Sequence, residues 1–359
     1  MKKILLTTAL VGSLVSGISA ANAETKVSGN LGISYLATSN ESGTNNGDRS
    51  YNGFGNESQI NIANSGDLNN GMKYAAGFSW EIDGGETLGH TATGASGYAF
   101  DSAGASTEGT YIEFISGDTK FGVGADRDTS LDGLGVNFVG FGYRTISGVG
   151  TATADKSITN SSYGTDASFG FYANQKIGEG TFGVNYVPNT GRLSTQDIGN
   201  GASKTSIDGG ESYYSATYKG KLGGIDVHAG VNSKTGIPTW SDQEARGISL
   251  AYTMGKTKFG VSYGELEKSV AAGAAKDQND TTEIGIAHAV SDTTSVGMTY
   301  TTTEGTVAGR GSEEEIYTAA VGYNLGAVSI QLQVKDAQNI SGAAGVDAQN
   351  IGMYIGTKF

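Results

Sequence analysis

Residues 72–82 read M-K-Y-A-A-G-F-S-W-E-I. Met72, Tyr74, Ala76, Phe78, Trp80 and Ile82 fall at every second position, with Lys73, Ala75, Gly77, Ser79 and Glu81 between them. A strand sends successive side chains to opposite faces, whereas a helix would spread both sets around its circumference. The stretch therefore predicts a β-strand with one apolar and one polar face. The period repeats along the chain. Val27, Leu31, Ile33 and Tyr35 alternate with Lys26, Ser28, Asn30 and Ser34, and Phe182, Val184 and Tyr186 alternate with Thr181, Gly183 and Asn185. Further runs begin near Tyr214, Ile225, Ile248 and Val328.

What joins the runs narrows the architecture. One set of connections is short and rich in Gly or Asx residues: 65–71, 116–118, 176–180, 219–224, 254–256, 291–293 and 324–326. These are hairpin-turn compositions. The other set is long and polar: 38–56, 83–106, 126–162, 189–210, 269–280 and 340–347. Short turns at one end and long loops at the other mark outer-membrane barrels, whose even strand number brings both chain ends to the turn side. The expected fold is all-β: a transmembrane antiparallel β-barrel of about sixteen strands, with short periplasmic turns and long external loops, occupying 24–359 as one domain. At that width side chains cannot fill the interior, so a water channel is expected. A soluble β-solenoid or sandwich alternates too, but has no need of this rhythm of connections or of aromatic residues at strand ends.

The N-terminus predicts export. Lys2 and Lys3 precede an apolar stretch, Ile4 to Val15, too short to cross a bilayer as a helix, and Ala21-Asn22-Ala23 forms a cleavage site. Residues 1–23 are thus an expected signal peptide, with the mature chain starting at Glu24. The chain carries 58 Gly and only 2 Pro, as a long hydrogen-bonded sheet requires. It has no Cys, which excludes disulfides, thiolate metal sites and Cys nucleophiles. Its three His (His90, His228, His288) show no zinc-protease spacing. The formal net charge is −13, and loss of the leader's two lysines leaves −15. Such a chain is no partner for nucleic acid, whose phosphates need neutralising, but acidity inside a pore favours cations.

Two stretches carry a family resemblance. Residues 350–359, N-I-G-M-Y-I-G-T-K-F, put Ile351, Met353, Ile355, Thr357 and Phe359 on one face and stop at the aromatic. This resembles the last strand of outer-membrane proteins, where the terminal Phe belongs to the signal read by the barrel-assembly machinery. The resemblance assigns that signal to Ile351, Met353, Ile355 and Phe359, and Thr357 departs from the usual apolar residue. Residues 110–127, T-Y-I-E-F-I-S-G-D-T-K-F-G-V-G-A-D-R, resemble the fourth and fifth strands of general diffusion porins of proteobacteria. Ala125 stands where that family often has an arginine. The resemblance implies a third external loop, from Asp126, that folds into the lumen and narrows it. Its charged residues Asp126, Arg127, Asp128, Asp132 and Arg144 are the expected constriction. It further implies an outer-membrane location among lipid and lipopolysaccharide, a homotrimer, and small hydrophilic solutes and ions as permeants. No cofactor is expected. The run D-R-D-T-S-L-D (126–132) offers oxygens of the kind calcium binds, without the Gly and Glu that continue an EF-hand loop.

Alternation places Lys26, Lys73, Lys335 and Lys358 on polar faces of the first, third, fifteenth and sixteenth strands, near one another once the barrel closes. Opposed to acids on the third loop, these wall cations would set a transverse field that orients polar solutes. Tyr35, Tyr74, Tyr186, Tyr218, Tyr252, Tyr263, Tyr300, Tyr323 and Tyr354 are expected in aromatic girdles. His228 is expected on the channel wall and His288 at the membrane border.

Other functions remain to be weighed against diffusion. A sugar-selective channel would line its path with aromatics, for which Tyr172 and Tyr213 are the candidates. A barrel enzyme would need a Ser/His/Asp set, and there is no G-x-S-x-G elbow. A surface adhesin would not conduct.

Overall fold

The computed structural model describes residues 23–42, 49–84, 104–125, 131, 134–136, 138–139, 169–188, 212–235, 243–268, 277–305, 313–340 and 344–359. Sixteen strands follow in order: β1 (Glu24–Ser42), β2 (Arg49–Asp67), β3 (Lys73–Gly84), β4 (Gly104–Ser116), β5 (Thr119–Ala125), β6 (Phe169–Ile177), β7 (Glu179–Val187), β8 (Ser212–Leu222), β9 (Ile225–Thr235), β10 (Gln243–Met254), β11 (Thr257–Lys268), β12 (Asp277–Ala289), β13 (Thr294–Gly305), β14 (Glu314–Asn324), β15 (Val328–Gln338) and β16 (Val346–Lys358). Each pairs antiparallel with the next, and β1 pairs with β16 to close the barrel. Closure satisfies every strand's backbone and leaves no edge, which is what allows strands to stand in hydrocarbon. At the seam Gly29 and Phe359 exchange two backbone hydrogen bonds of 2.9 and 3.0 Å.

All seven expected short turns are present. The tightest, between β6 and β7, is Gly178 alone, whose φ of +60° is one that Gly adopts without strain. The long connections are narrower than their polar composition suggests. β1 runs on to Ser42 and β2 begins at Arg49, so much of 38–56 is ladder, and β12 already starts at Asp277. Backbone pairing continues past the point where apolar alternation stops, because a strand that has left the lipid needs no apolar face. Two further long connections, 236–242 and 306–313, carry no long polar run that marks them in the sequence.

The apolar faces point outward. Val27, Leu31, Ile33, Ile284, Leu332 and Val334 are among many large apolar side chains left exposed on the exterior. In water this would be a heavy cost; against lipid it is the expected outer band. Aromatic pairs bracket the band. Tyr35–Phe54, Tyr186–Tyr214 and Tyr300–Tyr317 lie with ring centroids 4.8–5.0 Å apart toward the loop end, and Phe114–Phe121 at 5.6 Å toward the turn end. Tyr354 is the exception among the expected girdle residues. It alternates with Met353 and Ile355, so it belongs to the lumen face, where its ring covers Gly32 and Gly356. The exterior is also divided around its circumference. By register, no exterior position of β2 to β9 among the described residues is charged. On β10 to β15 the loop-side exterior carries Glu244, Arg246, Glu265, Glu267, Asp280, Glu304, Glu315 and Asp336.

Candidate pore and its constriction

Most buried apolar side chains among the described residues lie on the lumen side of the barrel wall. Leu131, Leu134, Val136 and Val139, from the connection that follows β5, are 0, 2, 0 and 5% exposed. Leu131 and Leu134 cluster with Val187, Tyr213, Ala245 and Leu266 of the inner wall. The segment then tracks across the wall from β10 to β14. Its footing is a trough of lumen-facing glycines: Gly247 under Leu134, Gly260 under Val136 and Phe138, Gly285 under the Val136 backbone, and Gly297 and Gly322 under Val139. A Cβ at Gly260 would stand 2.6 Å from Phe138 Cζ, and one at Gly297 2.8 Å from Val139 Cγ2, so any larger residue would push the segment inward. Gly260 and Gly285 are direct partners in the sheet, as are Gly247 and Gly264.

Polar contacts fix the register of the segment. The Val136 N–H donates to Glu283 Oε1, and the Thr301 hydroxyl donates to Glu283 Oε2 at 3.3 Å. Lys258 Nζ lies 4.6 Å from the centre of the Phe138 ring, a cation–π distance. The same ammonium is 3.1 Å from Asp226, which also takes Lys221 at 3.2 Å. Apolar burial thus holds the loop to one side of the lumen, and Glu283 decides where along that side it sits.

On a closed ring of sixteen strands, β2 to β6 lie across the lumen from β10 to β14. There the wall is polar and partly buried. Glu113 of β4 accepts from the Tyr172 hydroxyl at 2.8 Å and pairs with Lys120 at 3.1 Å. Lys73 stands 4.0 Å from Asp67, both well exposed. Lys26, Lys176, Lys219 and Lys358 also take lumen positions and are exposed. Of the expected wall cations, Lys26, Lys73 and Lys358 therefore share the turn end. Lys335, opposite Asn350, is half-buried and nearer the loop end. The expected constriction residues Asp126, Arg127, Asp128, Asp132 and Arg144 lie outside the described residues, as do the oxygen-bearing side chains of the 126–132 run considered for calcium. Among the described residues no group of three or more His, Asp or Glu side chains could hold a metal. His228 is buried on the lumen face, and His288 lies on the exterior with Nδ1 2.9 Å from the Thr257 hydroxyl.

Sequence reasoning weighed the charges of the third loop and passed over its apolar residues. The spacing L-x-x-L-x-V-x-x-V at 131–139, inside a polar loop, was the available signal. Nothing in the sequence singles out Glu283.

The sequence pattern of the Gram-negative porins matches residues 7–340. The chain belongs to the Gram-negative porin family. Porins are outer-membrane channels and not enzymes, which fixes the location and the general activity of this one. No curated protein matches it in sequence. Among solved structures it is similar to an anion-selective porin from Comamonas acidovorans, at 13% identity and TM-score 0.65, covering 94% of this chain and 100% of that one. It is similar also to OmpT of Vibrio cholerae in a trimer form, at 13% identity and TM-score 0.64, covering 94% and 99%. A porin of Rh. blastica aligns at 14% identity and TM-score 0.57, covering 94% and 100%. At these identities the likeness is one of fold.

Proposed function

We propose that this porin is a general diffusion channel whose waist is set by the third loop and whose acidic waist residues, Asp126, Asp128 and Asp132, give it a preference for cations. The observation that carries the reading is the anchored segment 131–139, which brings this loop inside the barrel and onto one wall. A loop so held narrows the path without closing it and leaves the lysine-bearing wall across the lumen facing the solute. Opposed charges there orient polar solutes and give nothing to apolar ones. The two tyrosines that the sequence offers for a sugar track are not available as a slide: Tyr213 is buried beneath the loop, and Tyr172 is buried and bonded to Glu113.

The same reading extends to export and assembly. Cleavage after Ala23 releases a mature chain from Glu24, and Ile351, Met353, Ile355 and Phe359 serve as the recognition signal for barrel assembly. Three copies associate through the uncharged exterior between β2 and β9, while the acid-bearing exterior of β10 to β15 faces lipid and lipopolysaccharide. Proteoliposome swelling with uncharged sugars of graded size tests the function. Entry that falls smoothly with solute size supports diffusion. Entry of one sugar far out of proportion to its size would indicate a selective channel, and no entry a closed surface barrel. Reversal potential in a salt gradient tests the cation preference, which neutralising Asp126, Asp128 and Asp132 to Asn should lower.

A further inference from the structure

Charge is distributed along the pore axis as well as across it. The turn half of the barrel is fully described. Within five positions of a short turn or of a chain end, it carries nine Lys and no Arg, against seven Asp or Glu. Outside this zone, toward the loop end, the described lumen-facing strand positions carry seven Asp or Glu against four Lys or Arg, so the outer part of the lumen is the acidic one. Eight of the nine lysines fall on lumen-facing strand positions, from β16 through β1 and on to β11. Four of them, Lys26, Lys176, Lys219 and Lys358, are exposed and have no carboxylate partner among the described residues.

We propose that these lysines form a collar at the periplasmic mouth that gathers anions and, set in series with the acid-rich outer end, makes the channel conduct unequally under voltages of opposite sign. The collar acts along the axis, whereas the field at the waist acts across it. Rings of one charge favour the opposite ion, so the outer end loads cations and the inner mouth loads anions. A voltage positive on the external side drives cations in from the outer end and anions in from the collar, filling the lumen with both. The opposite voltage draws both out and depletes it. The effect needs the charges to be felt across the opening. Their reach is about 10 Å at 0.1 M salt and about 3 Å at 1 M, so the asymmetry is a low-salt property.

This rests on the diffusion-channel reading, and the test separates the two. Purified full-length mature protein is added to one side of a planar bilayer, and single-channel current is recorded at equal voltages of both signs. At about 0.1 M KCl the larger current should exceed the smaller by a factor of roughly 1.5 or more, and at about 1 M the ratio should approach one. A variant carrying Lys26→Gln, Lys176→Gln, Lys219→Gln and Lys358→Gln should lose most of the low-salt asymmetry. The same four changed to Arg should keep it, and current steps from either variant confirm a folded, open pore. Symmetric steps from the unmodified protein at low salt would overturn the collar while leaving the channel in place, as would asymmetry that survives the four Gln substitutions. No steps at all from folded barrel would overturn both readings.

Discussion

Replacing both Leu131 and Leu134 with Asp should free the third loop from the wall without unfolding the barrel. Full burial of a Leu or Val stabilises by roughly 1.5–3 kcal/mol, so Leu131, Leu134, Val136 and Val139 together hold the segment by about 6–12 kcal/mol before ordering costs. The two substitutions remove about half of that. They also ask two carboxylates to enter an apolar pocket lined by Val187, Tyr213, Ala245 and Leu266, at an effective cost of several kcal/mol per ion. That penalty exceeds what Val136 and Val139 still contribute, so the segment leaves the wall. The barrel is held by its own interstrand ladder and keeps its fold, which heat-modifiable migration on a gel would report. Sugar swelling and single-channel recording are the assays. A loosened loop should admit larger sugars and make the open current noisier. A correctly folded double variant with the original size cutoff and quiet current would refute the claim that apolar anchoring sets the waist.

Smaller perturbations should grade below this one. Gly285→Val favours the strand itself but overlaps the Val136 backbone; overpacking of about 1–3 kcal/mol is less than the loop's hold, so the segment shifts and stays, and conductance should change less than in the double Asp variant. Glu283→Ala leaves the Val136 N–H without its carboxylate acceptor, a loss of roughly 1.5–3 kcal/mol, and should raise current noise with little change in barrel stability by denaturant titration. Ile284→Arg, on the lipid face, should cost about 2–4 kcal/mol in folding into lipid vesicles if it lies near the bilayer midplane, whereas Thr181→Arg, at an exposed lumen position of β7, should cost far less. Asp226→Asn releases Lys221 and Lys258 from their shared partner, so reversal potential should move toward anions.

The barrel was legible because its physics is local. Strand faces repeat at period two, as Met72 to Ile82 shows, with β4 changing phase at one irregularity near Gly109, and the seven turns carry Gly or Asx where the chain reverses. Strand extent was less legible. Between Thr38 and Asn56 apolar alternation stops, with Phe54 the last aromatic of the outer face, yet β1 and β2 continue to pair, because the ladder is a backbone property. Tyr354 shows the limit of reasoning by residue type, since its parity with Lys358 places it in the lumen despite its aromatic character. The constriction was legible only in outline. Its position after β5 followed from the run Thr110 to Arg127, but its anchorage depends on Gly247, Gly260, Gly285, Gly297 and Gly322 meeting along one inner wall. Those residues are scattered over 76 positions of sequence, and only the register of the closed sheet assembles them. In each strand a glycine on the polar face looks like filler.

The central claim is that this chain forms an open, water-filled pore through the outer membrane. Single-channel recording of the purified mature protein in a planar bilayer at high salt tests it most directly. Stepwise insertions, each giving long-lived current proportional to voltage, are the expected result. A protein that migrates as folded barrel and inserts into lipid yet passes no current would contradict it.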